Sequence, residues 1–123
     1  MYQYRLTSRA QQDVVNVLAW TFENFGARAR LRYKALIDRA VKDVANDPYR
    51  AGSESLSDVD RDGRIYHLKN CRMPKRTVRV RKPRHLLVYR LGNDGCVEIG
   101  RILHDSMDLE RHWPDEDWAE DDD

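Results

Sequence analysis

The sequence predicts an α+β domain: a two-helix hairpin packed on a mainly antiparallel four-stranded sheet, ordered β-α-α-β-β-β, with a short C-terminal helix. Three observations lead there. Two amphipathic helical stretches run through residues 8–47, separated only by Gly26. The apolar runs 84–91 and 96–104 flank Asn93-Asp94-Gly95, residues that tolerate the positive φ of a tight hairpin turn. Residues 2–6 alternate Tyr2, Tyr4 and Leu6 with Gln3 and Arg5, the period of a half-buried strand.

Each element has its own signals. After the first strand, Ser8 and Gln11 form a capping-box pair that starts the first helix. Val14, Leu18, Phe22 and Phe25 give its apolar stripe, widened by Val15, and Gly26 ends it. Trp20 falls off this stripe, at the core boundary or at a docking surface. The second helix buries Tyr33, Ile37, Ala40, Val41 and Val44, turns Arg28, Arg30, Arg32, Lys34, Arg39 and Lys42 outward, and stops before Pro48. Residues 49–63 read as loop. Strands are expected at 64–69, 84–91 and 96–104, the last three strands forming a meander. Asp108 is placed to cap a single helical turn over residues 108–112.

Length and charge narrow the class. With 123 residues the chain fits one domain, assigned to residues 1–114, followed by an acidic tail at 115–123 that reads as disordered. The net charge of +1 conceals an uneven distribution: the tail holds 7 of the 21 acidic residues, and the 14 that remain face 22 basic ones, a body at +8. Such a body favours phosphate-rich or acidic partners. Trp118 is out of place in a solubilising tail and is expected to anchor it on the body or on a partner.

Cys71 and Cys96 lack metal-ligand spacing and read as reduced thiols. His67, His85, His104 and His112 show no HExxH-type pairing, so neither metal nor cofactor is expected. No secretory leader and no apolar run of membrane-spanning length is present, which points to a cytoplasmic protein without a membrane partner.

Several stretches together resemble the RelE/ParE superfamily of toxins from type II toxin–antitoxin pairs, most closely its ParE branch. They are Tyr4-Arg5-Leu6-Thr7 leading into a helix with Asp13, the Asn46-Asp47-Pro48 helix end, the RHLLVYR run at 84–90, and EIGRILH at 98–104 followed by Met107-Asp108-Leu109. The resemblance spans residues 2–113; the acidic tail and residues 70–83 fall outside it. It implies an antitoxin partner, for which Trp20, Phe22 and Tyr33 are the candidate contacts if exposed. ParE-like members resemble inhibitors of DNA gyrase without catalysis of their own, and this is the favoured function. RelE-like members resemble ribosome-dependent messenger ribonucleases, the alternative. A third reading is a non-toxic co-repressor that binds the antitoxin.

The two activities ask for different residues. A ribonuclease needs an acid, a base and cations around the phosphate, and the candidates are Arg84, Arg101 and His104. Arg101 and His104 have a second reading, as groups paired at the end of a strand. The tyrosine that several nuclease branches carry near the C-terminus is missing, since no Tyr follows Tyr89. A gyrase inhibitor needs a surface for the enzyme or its DNA. Residues 63–93 hold ten Lys or Arg and no acid, and Arg72, Lys75, Arg76, Arg79, Arg81 and Lys82 form a basic ribbon suited to a DNA backbone. The alternative for the ribbon is a solvated edge.

Overall fold

Thr7, not Ser8, opens the helical hairpin. Its Oγ1 accepts the Ala10 N–H (3.0 Å) and donates to the Gly100 carbonyl (2.8 Å), so one hydroxyl caps the helix and ties it to the sheet. A computed structural model describes residues 2–74, 79–114 and 118. Its elements are β1 (Gln3–Leu6), α1 (Ser8–Phe25), α2 (Ala27–Asn46), β2 (Ser53–Ser55), β3 (Arg64–His67), β4 (His85–Leu91) and β5 (Cys96–His104), with a 3-10 turn at Leu68–Asn70. Gly26 joins the helices at φ +91°, a conformation that favours glycine over any residue with a Cβ.

The sheet has five strands rather than four, in the order β1-β5-β4-β3-β2. The extra strand, β2, lies inside the expected loop and pairs antiparallel with β3. Its sequence, Ser-Glu-Ser, is too short and polar to show a strand period, so backbone pairing alone defines it. The expected meander of β3, β4 and β5 is antiparallel, while β1 lies parallel to β5. The sheet is therefore mixed.

A bulge divides β5. Tyr89 pairs with Ile99 and Val88 with Arg101, so Gly100 is the additional residue. The bulge resets the alternation of faces. Val97, Ile99 and Ile102 all reach the core beneath the helices, whereas Leu103 joins a second core on the opposite face. The helix-side core includes Leu36, Ile37, Val41, Val44, Tyr66, Leu87 and Tyr89. The second core holds Leu86, Val88, Leu103, Trp113 and Trp118, with Leu56, Val59, Ile65 and Leu109 against it.

Helix α2 buries the expected stripe. Helix α1 does so only in part: Val14 and Leu18 pack half-buried against the helix-side core and Ala10, Asp13 and Thr21 are buried, while Val15, Trp20, Phe22 and Phe25 are exposed. The polar anchors Thr7 and Asp13 fix the rotation of α1, and at about 100° per residue that turns positions 15 and 22 away from the sheet. Trp20 is 55% exposed and thus a surface residue. It meets Phe25 edge-on at 5.7 Å, and Arg30 lies 4.7 Å above the Phe22 ring.

The C-terminal helix expected at 108–112 does not form; a single hydrogen-bonded turn takes its place. Asp108 Oδ1 accepts the Glu110 N–H (3.0 Å), the Asp108 carbonyl accepts the His112 N–H (3.3 Å), and Pro114 lacks the N–H that would continue the series. Trp113 and Trp118 then close the second core. Both indole N–H groups donate to Asp60 Oδ2, at 2.8 and 3.2 Å. Gly63 and Gly100 leave room for these rings: a Cβ would lie 2.3 Å from Trp113 Cζ2 in the first case and 2.7 Å from Trp118 Cζ3 in the second. Of the tail at 115–123, only Trp118 falls within the described residues, and it is buried on the body as an anchor.

Candidate functional site

Two regions hold most of the residues singled out by sequence: the sheet end where β3, β4 and β5 meet, and the basic segment leading into β4. The sheet end follows from register. His85 pairs with His104 across β4 and β5, and His67 pairs with Leu86 on the other side. The rings of His85 and His104 meet edge-on at 5.3 Å.

The hydrogen bonds assign each group a partner. Tyr33 Oη accepts the Arg84 backbone N–H (3.3 Å) and sits 2.6 Å from His85 Nδ1, which couples α2 to the start of β4. His67 Nδ1 accepts the Lys69 N–H, leaving its proton on Nε2, which donates to Asp105 Oδ2 (2.9 Å). Arg84 grips the same carboxylate, with Nη2 2.9 Å from Oδ1 and Nε 3.1 Å from both oxygens. His104 Nδ1 accepts the Ser106 N–H (3.1 Å) and lies 2.7 Å from Ser106 Oγ.

Charge at this end follows burial and pairing. Burial first, and His104 second, push His85 down to about 4, so its ring is neutral at physiological pH. Arg84 first, and His67 second, hold Asp105 well below the usual carboxylate range. Burial pushes the Tyr33 hydroxyl up to about 12. The cluster therefore carries its negative charge on Asp105 and meets it with Arg84.

Arg101 belongs elsewhere. β1 ends at Leu6, and beyond it Asp13 of α1 takes over the bare edge of β5. The Asp13 carboxylate accepts the Ile102 N–H (2.9 Å) and receives Arg101 in a two-pronged pair, Nε at 2.8 Å and Nη2 at 3.0 Å. Both side chains are 11% exposed.

The chain matches the family profile of the ParE toxin of the type II toxin–antitoxin system parDE over residues 4–109. It belongs to the ParE toxin family. This places it in the RelE/ParE superfamily and makes a type II toxin, with an antitoxin partner, the family's reading of the chain. No curated protein matches the sequence.

Within this ParE-family chain, the residues expected to matter fall into four places. Arg84 and His104 share the sheet end, while Arg101 lies on the Asp13 side of β5. Arg72, Arg79, Arg81 and Lys82 are exposed; Lys75 and Arg76 lie outside the described residues. Trp20 and Phe22 are exposed on α1, whereas Tyr33 is 7% exposed and occupied at the sheet end, which removes it as a surface contact. Cys71 and Cys96 are unpaired thiols, and burial pushes Cys71 up to about 12, far from a reactive thiolate. Among the described residues no cluster of His, Cys, Asp or Glu could hold a metal, and no helix is long and apolar enough to cross a membrane.

Sequence reasoning missed His67, His85, Asp105 and Asp60. The histidine pair was within reach, because residues 93–95 form a turn and counting back along both strands sets 85 against 104 once one residue is allowed for the bulge. Asp60 carried no signal, since its two indole partners lie 53 and 58 residues away.

Proposed function

We propose that this chain is a cytoplasmic toxin that inhibits DNA gyrase and is neutralised by a cognate antitoxin. One observation carries the choice of a non-enzymatic inhibitor within the family: the cations a nuclease would aim at phosphate are already engaged. Arg101 is buried in its pair with Asp13, and Arg84 is held by Asp105. A guanidinium neutralised by a fixed carboxylate is a poor stabiliser of a pentavalent phosphate, because its field is spent before substrate arrives.

For the antitoxin, α1 supplies the exposed aromatics Trp20, Phe22 and Phe25. Nearer the start of α1, a groove of about 470 Å³ lies between β1 and the helices, lined by Leu6, Val14, Ile37 and Val41 together with Lys34, Asp38 and Lys42. Strand β1 is at the edge of the sheet, so its outer backbone groups can receive an added strand.

A second reading, the ribosome-dependent messenger endoribonuclease, is favoured by the His85–His104 pair, two imidazoles within reach of one scissile linkage. One experiment separates the readings. Purified protein is added to a gyrase supercoiling reaction and, separately, to a translating extract analysed by primer extension. We expect loss of supercoiling with intact messenger. Site-specific cuts with active gyrase would establish the nuclease instead, and silence in both assays would leave the antitoxin-binding co-repressor.

A further inference from the structure

We infer that the exposed cations Arg72, Arg79, Arg81 and Lys82, with Arg32 and Arg39 on the adjoining side of α2, form a track that binds the phosphate backbone of duplex nucleic acid. The biological setting of the track rests on the gyrase reading; the binding itself does not.

The described residues on either side of 75–78 are held against α2. Cys71 Sγ lies 3.4 Å from Asp43 Oδ2 near the end of α2, and the Arg84 N–H donates to Tyr33 Oη nearer its start. Ten helical residues separate Asp43 from Tyr33, about 15 Å along the axis. Between these ends Met73 and Val80 pack against the helix-side core. The described part of the segment therefore has an inner side, marked by Met73 and Val80.

Its outer side is cationic. Arg79 and Arg81 flank the inward Val80 and are exposed, as are Arg72 and Lys82. None of these four has a carboxylate partner among the described residues. Arg39 borders the segment, because it shares the Asp43 carboxylate with Cys71. Arg32 is exposed one heptad earlier on the same face of α2.

The local carboxylates do not offset this charge. Asp43 meets Arg39 at 3.2 Å and Arg50 at 3.6 Å, and Asp105 is held by Arg84 and His67. Residues 63–93 add no acid of their own. The surface field along the track is positive over a length that spans more than one phosphate.

The residue types select the partner. Residues 71–84 contain no aromatic side chain, so there is no platform on which unpaired bases could stack. They also contain no Asn, Gln or His, which leaves phosphate contact as the main mode. A duplex, with closely spaced charges on a stiff backbone, fits better than a single strand, and its sequence should matter little.

The test uses the full chain with labelled 24-base-pair duplexes of two unrelated sequences, followed by fluorescence anisotropy between 50 and 200 mM NaCl. Both duplexes should bind alike, with a log–log salt slope of about −3.6 if Arg72, Arg79, Arg81 and Lys82 each meet a phosphate. Arg79→Glu with Arg81→Glu should weaken binding at least about tenfold, and Arg32→Glu with Arg39→Glu should also weaken it, with unchanged unfolding midpoints in both. No binding at 50 mM salt, or charge reversals without effect, would overturn the track. Poly-glutamate competing better than duplex would overturn it in favour of an acidic protein partner. Supercoiling assays on the same proteins separate the two claims. Duplex binding without gyrase inhibition removes the gyrase reading and keeps the track; gyrase inhibition without duplex binding does the reverse.

Discussion

Arg101 and Asp13 meet across 88 residues of sequence, with two side-chain hydrogen bonds of 2.8 and 3.0 Å. The pair stands where a further strand would otherwise continue alongside β5, and Asp13 also satisfies the Ile102 N–H (2.9 Å). Removing either side chain leaves the other charge buried without its partner. Arg101→Met should therefore cost about 3–5 kcal/mol, read as a shift of the urea midpoint. Asp13→Leu combined with Arg101→Met should cost less than the two single changes added together. Additive losses would show that the two side chains act independently.

The C-terminal anchor should behave as part of the core. Trp118→Ala should destabilise the fold by about 3 kcal/mol, since the ring is 6% exposed, seats on Gly100 and lies under Arg90, whose guanidinium is 4.4 Å from it. Gly100→Ala should expel the ring, which in a Trp20→Phe background appears as a red shift of indole fluorescence. An unshifted spectrum would mean that the anchor tolerates the added methyl. Deleting residues 115–123 removes this anchor along with the acids, so the effect of tail charge is read by replacing the acids while Trp118 stays.

Acid should weaken the fold through His85. Its folded-state value of about 4 lies below the ordinary 6.5, so between these values the unfolded chain binds the extra proton. Stability is complete above about pH 6.5, falls as pH drops through that window, and the loss levels off below about 4. After discount for partial exposure the loss is roughly 2 kcal/mol. Asp105 stays ionised throughout this window, because Arg84 and His67 depress it. Denaturation midpoints at pH 7.5 and 5 measure the slope, and His85→Gln should flatten it.

The two candidate caps give a clean comparison. Thr7→Ala should cost about 1–2 kcal/mol, because it removes both the acceptor for Ala10 and the donor to Gly100. Ser8→Ala, at an exposed helical position, should fall within about 0.5 kcal/mol of the parent. Equal losses would put the helix start one residue later.

Much of the fold was legible because its signals are local. The α2 stripe, the stop at Gly26, the turn at 93–95 and the bounds of β5 all follow from periods and turn chemistry within a few residues. What escaped depends on contacts distant in sequence. The exposure of Phe22 follows from the docking of Thr7 and Asp13 on β5, which no stripe on α1 reveals. Strand β2 exists only because β3 is there to pair with it. At the sheet end, Arg84 and His104 were visible as residue types, but the carboxylate that engages Arg84 lies one residue beyond β5 and becomes relevant only once the strands pair.

The position of β1 has a consequence for how the chain comes to be made. Among the described residues its one sheet partner is β5, and the contact between Arg5 and Glu98 spans 93 residues. The first strand to leave the ribosome must wait for the last, and the hairpin of α1 and α2 must wait with it, its apolar side uncovered. Such a high contact order makes folding slow and late, with the unfinished chain open to misfolding or capture. A polypeptide halted before Cys96 has no central strand for β1 to join. It would be no partial toxin, and would have neither the sheet end nor the second core.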